Sequence, residues 1–317
     1  MPRMLPAARL VTFVFALAAL VAACSRETPP APTSGAGYVR AAVAGTLQSP
    51  SIVEASGLAH SRRQQDLLWV INDGGEEPML HAVTPAGEAL GAVRVAGAEN
   101  RDWEDLAAFS YEGSSWLLVA DIGDNGGIRE HLTLYVVPEP DPAAGGEVAA
   151  AWTVRYTYPD GPHDAESVAV DGDAGRIYVL TKRTEPAELH ALPLRPPASA
   201  GVLTSTLVTG VDSLPAREEA VGLLAAAVPY HWQPTGMDIA ADASALAILT
   251  YADVYYYPRR PAETWADALA REPLPLGMPL IPIAEAVAFD ERGRSLFITA
   301  EGRHAPLLRF DPEPQAD

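Results

Sequence analysis

The sequence predicts an all-β fold, a β-propeller of four-stranded blades whose ring is closed by a strand from near the N-terminus. Three observations lead there. One unit recurs five times in nearly constant register. Short strand-like runs bounded by Pro and Gly fill the intervals, and the last unit runs out of chain before its fourth strand.

Each unit starts on a polar or acidic residue, enters a small alternating apolar strand, turns on polar residues and ends in a second apolar strand with a polar cluster behind it. The copies are "SGLAHSRRQQDLLWVINDGG" from Ser56, "EDLAAFSYEGSSWLLVADIGDN" from Glu104, "ESVAVDGDAGRIYVLTKRT" from Glu166, "TGMDIAADASALAILTYAD" from Thr235 and "EAVAFDERGRSLFITAEGR" from Glu285. Fourteen positions on from Leu58, Val168, Met237 and Val287 stand Asn72, Lys182, Tyr251 and Glu301; fifteen on from Leu106 stands Asp121. Such even spacing argues against an open sandwich. "MLHAV", "LTLYVV", "ELHALPL" and "VYYYP" read as third strands, and "ALGAVRV", "WTVRYTY" and "LTSTLVTG" as fourth strands. A four-stranded antiparallel unit repeated around an axis is a propeller blade. "YVRAAVAGTL" from Tyr38 can supply the strand that the fifth unit lacks. "PAETWADALARE" carries helix formers, and Ala216 to Tyr230 can hide a degenerate sixth blade, so five blades are visible and six is the alternative. Residues 38–317 then form a single domain.

Ahead of it, residues 1–23 read as a lipoprotein signal peptide. Arg3 and Arg9 give a positive start, an apolar core runs from Leu10 to Val21, and "VAAC" resembles a bacterial lipobox. The apolar run is short against the roughly 20 residues that a membrane span needs. Cys24, the only cysteine, is the lipidation site, which leaves no internal disulfide. Residues 24–37 are Pro-, Ser- and Gly-rich and suit an extended tether. Ser25 stands where an aspartate would retain a lipoprotein in the inner membrane, so the expected location is the cell envelope, on the outer membrane where the organism has one. The net charge of −19 removes nucleic acid as a partner and leaves acyl chains, not a basic surface, as the membrane attachment.

In a blade the first two strands lie innermost and run antiparallel, so the start of the first and the end of the second share one face near the channel mouth. Strand starts contribute Ser56, Glu104, Glu166, Thr235 and Glu285, with Glu54 just before. Second-strand ends contribute Asn72, Asp73, Asp121, Asp124, Asn125, Lys182, Tyr251 and Glu301. The feeding loops add "ENRDW", "PHDA" and "HWQP". Carboxylates converging on one axis repel unless a cation or a basic side chain sits among them. Lys182 is the sole lysine of the chain and falls at this rim, where an ammonium and a guanidinium are not interchangeable. Hard oxygen donors favour calcium or magnesium over zinc. His163, His231 and His304 lie in loops that can join a site or simply be solvated.

"DIGDNG", from Asp121, resembles half of an EF-hand loop. The slot that needs Asp or Asn is Gly123, however, and the closing Glu is replaced by Leu132. It reads as the turn between the second and third strands of blade two, with carboxylate donation to the mouth as an additional role. The sequence contains no GxSxG elbow, GxGxxG motif or phosphate-cradling Gly–Lys loop, which disfavours nucleophilic triads and dinucleotide chemistry.

"EASGLA", "WEDLA", "AESVAVD" and "AEAVAFD" resemble the repeat openings of secreted bacterial propellers, the phytase-like "esterase-like" group and, more distantly, the gluconolactonase class. That resemblance covers most of the chain from Glu54. It implies a divalent cation, often calcium, near the channel, with Glu104, Glu166 and Glu285 as ligands; Asp121 and Glu301 join them by geometry alone. The fuller acidic motifs of propeller phytases are absent.

The favoured expectation is a cell-envelope binding module whose acidic mouth holds a cation and a small polar ligand or an envelope protein. The alternative is a metal-dependent hydrolase of phosphate or carboxylic esters, including lactones. In it Glu166 or Asp124 would be the base, with His163 as a substitute, and Lys182 or Arg183 would stabilise developing negative charge.

Overall fold

The computed structural model describes residues 38, 41–214, 230–277, 279, 281 and 283–312. Strand β1 (Ala42–Thr46) precedes the first full blade, which is β2 (Ala55–His60), β3 (Leu68–Asn72), β4 (Met79–Val83) and β5 (Ala89–Ala96). Blade two is β6 (Trp103–Tyr111), β7 (Ser114–Asp121), β8 (Leu132–Pro138) and β10 (Trp152–Thr157). Between the last two, β9 (Glu147–Ala149) crosses to the outer edge of blade one and pairs parallel to β5. Blade three is β11 (Ala165–Asp171), β12 (Arg176–Thr181), β13 (Glu188–Pro193) and β15 (Thr206–Gly210), and β14 (Leu203–Thr204) covers the edge of blade two. Blade four is β16 (Pro234–Ile239), β17 (Ala245–Thr250), β18 (Val254–Pro258) and β19 (Leu274–Pro275). Blade five is β20 (Ala284–Phe289), β21 (Leu296–Ala300) and β22 (Pro306–Phe310), completed by β1.

β1 runs antiparallel to β22, with Ala42 opposite Arg309 and Thr46 opposite Pro306, so the ring is closed as expected by the N-terminal strand. The inner strands β2, β6, β11, β16 and β20 pack side by side, and β20 returns to β2. The ring therefore has five blades. Residues 215–229, which cover most of the segment read as an alternative sixth blade, lie outside the described residues, as do the signal peptide, Cys24 and the tether.

The core is five layers, one between each pair of neighbouring blades. Trp69 and Trp103 meet between blades one and two, and Phe109 and Tyr156 between two and three. Met237 and Trp265 fill the next layer, Phe289 and Phe310 the fourth, and Leu58 and Phe297 close the circle between blades five and one. Strands buried on both faces explain why their sequences are apolar at nearly every position. The helix expected around Trp265 is short, α1 (Trp265–Leu269), capped by Thr264 in a capping box with Asp267. The run "LTSTLVTG" divides between two blades, because Ser205 breaks it into β14 and β15.

Candidate functional site at the acidic channel mouth

All five inner strands carry the same irregularity. The pairing slips at Ala55/Gly57, Trp103/Asp105, Ala165/Ser167, Pro234/Gly236 and Ala284/Ala286. The residue in each bulge is therefore Ser56, Glu104, Glu166, Thr235 or Glu285, the set that opens the sequence repeats. A β-bulge re-aims one side chain and leaves its strand otherwise paired. Two of the five serve as staples between blades: Ser56 Oγ donates to Trp103 O at 2.9 Å, and Thr235 Oγ1 to Ala284 O at 2.8 Å. The other three are buried glutamates.

The second-strand ends differ from the spacing read in the sequence. Asn72, Asp121, Thr181, Thr250 and Ala300 are the equivalent residues, each paired with the start of its inner strand. Asp73, Ile122, Lys182, Tyr251 and Glu301 follow them. The count of fourteen holds for blades three to five, whereas the hairpins of blades one and two are longer by one and two residues, so Asp73 and Ile122 are the residues that align with Lys182, Tyr251 and Glu301. Asn72 consequently has a structural task. It accepts from Val53 and Glu54 N–H and donates to Ser51 O.

The mouth has two halves. In one, Lys182 Nζ contacts Glu166 Oε1 and lies 3.1 Å from the Tyr251 hydroxyl, which donates to Glu285 Oε1 at 3.0 Å. Burial, then the neighbouring Glu166 and Glu301, push the Glu285 carboxyl well above the ordinary value. Burial opposes the lysine's charge, yet the surrounding Glu166, Glu285 and Glu104 carboxylates hold its pKa above the ordinary value. Burial pushes the Glu166 carboxyl up to about 7 against the pull of Lys182. Its other oxygen, Oε2, is buried without a hydrogen-bond partner.

In the other half, oxygens of Asp73, Asp102 and Glu104 lie within 4.8 Å of one another. Burial raises all three carboxyls, Asp73 to about 6, and for Glu104 the neighbouring Glu166, Asp73 and Asp102 raise it further. Three nearby cations pair with other acids: Lys182 with Glu166, Arg129 with Asp121 at 2.9 Å, and Arg183 with Asp164 at 2.6 Å. Arg129 and the exposed Arg101 still draw Asp102 down, against the larger effect of its burial. Ile122 leaves blade two without a polar residue at its position in the rim, and Gly123 beside it makes room. A Cβ at Gly123 would overlap Glu104 Oε1 and Asp102 Oδ2.

Glu104, Glu166, Lys182, Glu285 and Glu301 thus come together at one mouth. Asp121 stands behind it, on Arg129, and also accepts from Asp102 N–H. Asp124 accepts from Ile128 and Arg129 N–H, one on each oxygen, while its own N–H donates to Asp164. "DIGDNG" is therefore a turn built on Asp124, and what it lends the mouth is the space at Gly123. Arg183 binds Asp164 and Asn125. His163 sits on Asp160 at the outer rim of blade three, and His304 Nδ1 lies 3.3 Å from Leu47 O. Asp102 was not singled out in the sequence. The signal for it is the residue just before each inner strand, acidic three times, as Glu54, Asp102 and Asp164.

No protein-family model matches the chain. No curated protein matches it either. Among solved structures it is similar to a gluconolactonase from Xanthomonas campestris, at 16% identity and a TM-score of 0.42, over 81% of this chain and 71% of the other. It is similar to a luciferin-regenerating enzyme at 10% identity and a TM-score of 0.41, over 84% and 94% of the two chains. It is also similar to a chain of a nidogen/laminin complex at 12% identity and a TM-score of 0.41, over 78% and 72%.

Proposed function

We propose that the protein is an envelope lipoprotein whose propeller is a binding module, holding a divalent cation at the channel mouth through Asp73, Asp102 and Glu104. The observation that carries this reading is three buried or half-buried carboxylates from two chain segments, the end of β3 and the start of β6, drawn together with no ion pair of their own among the described residues, while Arg129, Lys182 and Arg183 pair with other acids. Carboxylates held that close need a positive partner, and an all-oxygen donor set suits calcium. The unpartnered Glu166 Oε2, buried beside the triad, is a further oxygen that a ligand in the mouth would satisfy. A bound cation would neutralise the triad and present open coordination positions to a small polar ligand or a partner loop. Glu285 and Glu301, tied to Lys182 through Tyr251, would line the opposite wall.

Calorimetric titration of calcium into the protein tests this, beside the variant Asp73→Asn, Asp102→Asn, Glu104→Gln. Saturable binding that the variant loses supports the reading; equal binding by both proteins, or none by either, removes it. Attachment to the membrane rests on the lipobox-like "VAAC", and metabolic labelling with palmitate that survives Cys24→Ser would refute it.

One observation favours the hydrolase as a second reading. A carboxyl near 7 at the mouth, Glu166, has the proton affinity of a general base working at neutral pH. Calcium-dependent cleavage of lactones or phosphate esters that Glu166→Gln abolishes, with cation binding retained, would establish it; cleavage unchanged in that variant would exclude Glu166.

A further inference from the structure

A second group of metal-ligating side chains lies at the outer rim of blade three, apart from the mouth. Donor atoms of Asp160, His163 and Glu188 fall within 4.8 Å of one another. The first two come from the loop before β11, the third from the start of β13, so the fold and not one local turn brings them together. His163 Nε2 is already 2.9 Å from Asp160 Oδ1.

Behind Glu188 stands a buried polar pair that serves no secondary structure. His190 is 1% exposed; its Nε2 lies 3.3 Å from Glu188 Oε2 and its Nδ1 lies 3.1 Å from Ser205 Oγ. In the tautomer in which the Ser205 hydroxyl donates to Nδ1, the Nε2–H faces Glu188. Carboxylates that bind metals are characteristically held by such an outer hydrogen bond. Tyr158 orients both imidazoles edge-on, with ring centroids 5.0 Å from His163 and 4.8 Å from His190.

We propose that Asp160, His163 and Glu188 form a second, independent metal site, selective for zinc or a similar imidazole-seeking divalent ion, with His190 as the residue that positions Glu188. An imidazole nitrogen and carboxylate oxygens are both ligand types that zinc accepts, and three of them leave the fourth position to solvent. Tetrahedral donors about a zinc ion stand about 3.3 Å apart. The shift from the present arrangement is small, and Asp160, with a 60% exposed side chain, is free to make it. Calcium has little use for an imidazole nitrogen, so the two sites separate by chemistry as well as by place.

The test is zinc titration of the full chain carrying Asp73→Asn, Asp102→Asn and Glu104→Gln, which removes the triad of the mouth, alone and combined with His163→Gln, Glu188→Gln or His190→Gln. We expect one zinc per chain, weakened about tenfold or more by either ligand change and by a smaller factor by His190→Gln. Cobalt in place of zinc should give visible absorption bands that His163→Gln shifts. Unchanged thermal unfolding in the metal-free variants guards against loss of fold. The same His163→Gln and Glu188→Gln changes in the otherwise unmodified chain should leave calcium binding intact. Zinc affinity that neither ligand change alters, or no zinc uptake at all, would overturn the proposal and leave His163 and Asp160 as a surface ion pair.

Discussion

Gly123 decides how closely two carboxylates approach. Any side chain there collides with Glu104 and Asp102, whereas a Cβ at Gly126 would meet nothing nearer than Ile128 at 3.5 Å. Gly123→Ala should therefore weaken calcium binding about tenfold, which is about 1.4 kcal/mol, while Gly126→Ala leaves it unchanged in the same calorimetric assay. Nothing in "DIGDNG" announces this role, because the clash is with residues about twenty positions earlier in the chain. The raised carboxyls make a second prediction at this scale. Asp73 and Asp238 stand at about 6 and Glu166 at about 7, against ordinary values of 3.8 and 4.5. Between those limits the folded state holds protons that the unfolded chain has released. Their contribution to stability is complete below about pH 4 and is lost as pH rises through 6 to 7. Metal-free protein should melt higher at pH 5 than at pH 8, and calcium should restore at pH 8 the part of the loss that comes from Asp73. A melting temperature that climbs from pH 5 to pH 8 without metal would contradict this.

At the scale of strands and blades, the sequence repeats located the inner strands and foretold the closing strand, since both follow from apolar alternation and from a missing partner. They did not reveal β9 or β14. Those strands are two or three residues long, and what places them is an open sheet edge in a neighbouring blade. Asp105 was hidden for a related reason, because it reads as the second acid of "WEDLA" beside Glu104. Folding turns it the other way, fully buried, where it accepts from Leu106 N–H at 2.8 Å, Val168 N–H at 2.7 Å and Met237 N–H at 3.3 Å. One carboxylate thus ties blades two, three and four, and Asp238 does the same for four and five through Ile239 and Phe289 N–H. Asp105→Ala strips three buried donors of their acceptor at roughly 1–3 kcal/mol each. We expect a loss of about 3 kcal/mol or more in denaturant unfolding, with Asp105→Asn intermediate because one carbonyl oxygen remains. A loss below about 1 kcal/mol would mean that other acceptors replace the carboxylate.

Across the whole molecule, one repeated bulge turns a ring of strands into a ring of side chains. Ser56 and Thr235 join neighbouring blades, and three glutamates gather at one pole. The convergence of Glu104, Glu166, Glu285, Lys182 and Glu301 was legible because it depends only on strand direction and repeat register. The division of the mouth into a half paired with Lys182 and a carboxylate triad without an ion pair of its own was not. That division depends on which basic side chains reach which acids, with Arg129 turning to Asp121 and Arg183 to Asp164. The proposed cation site is the triad half of the mouth, and anomalous diffraction from crystals grown in millimolar calcium would locate the ion. We expect a single peak at the channel mouth, about 2.3–2.6 Å from oxygens of Asp73, Asp102 and Glu104. A mouth without a peak, or a peak held by other residues with the triad empty, would contradict it.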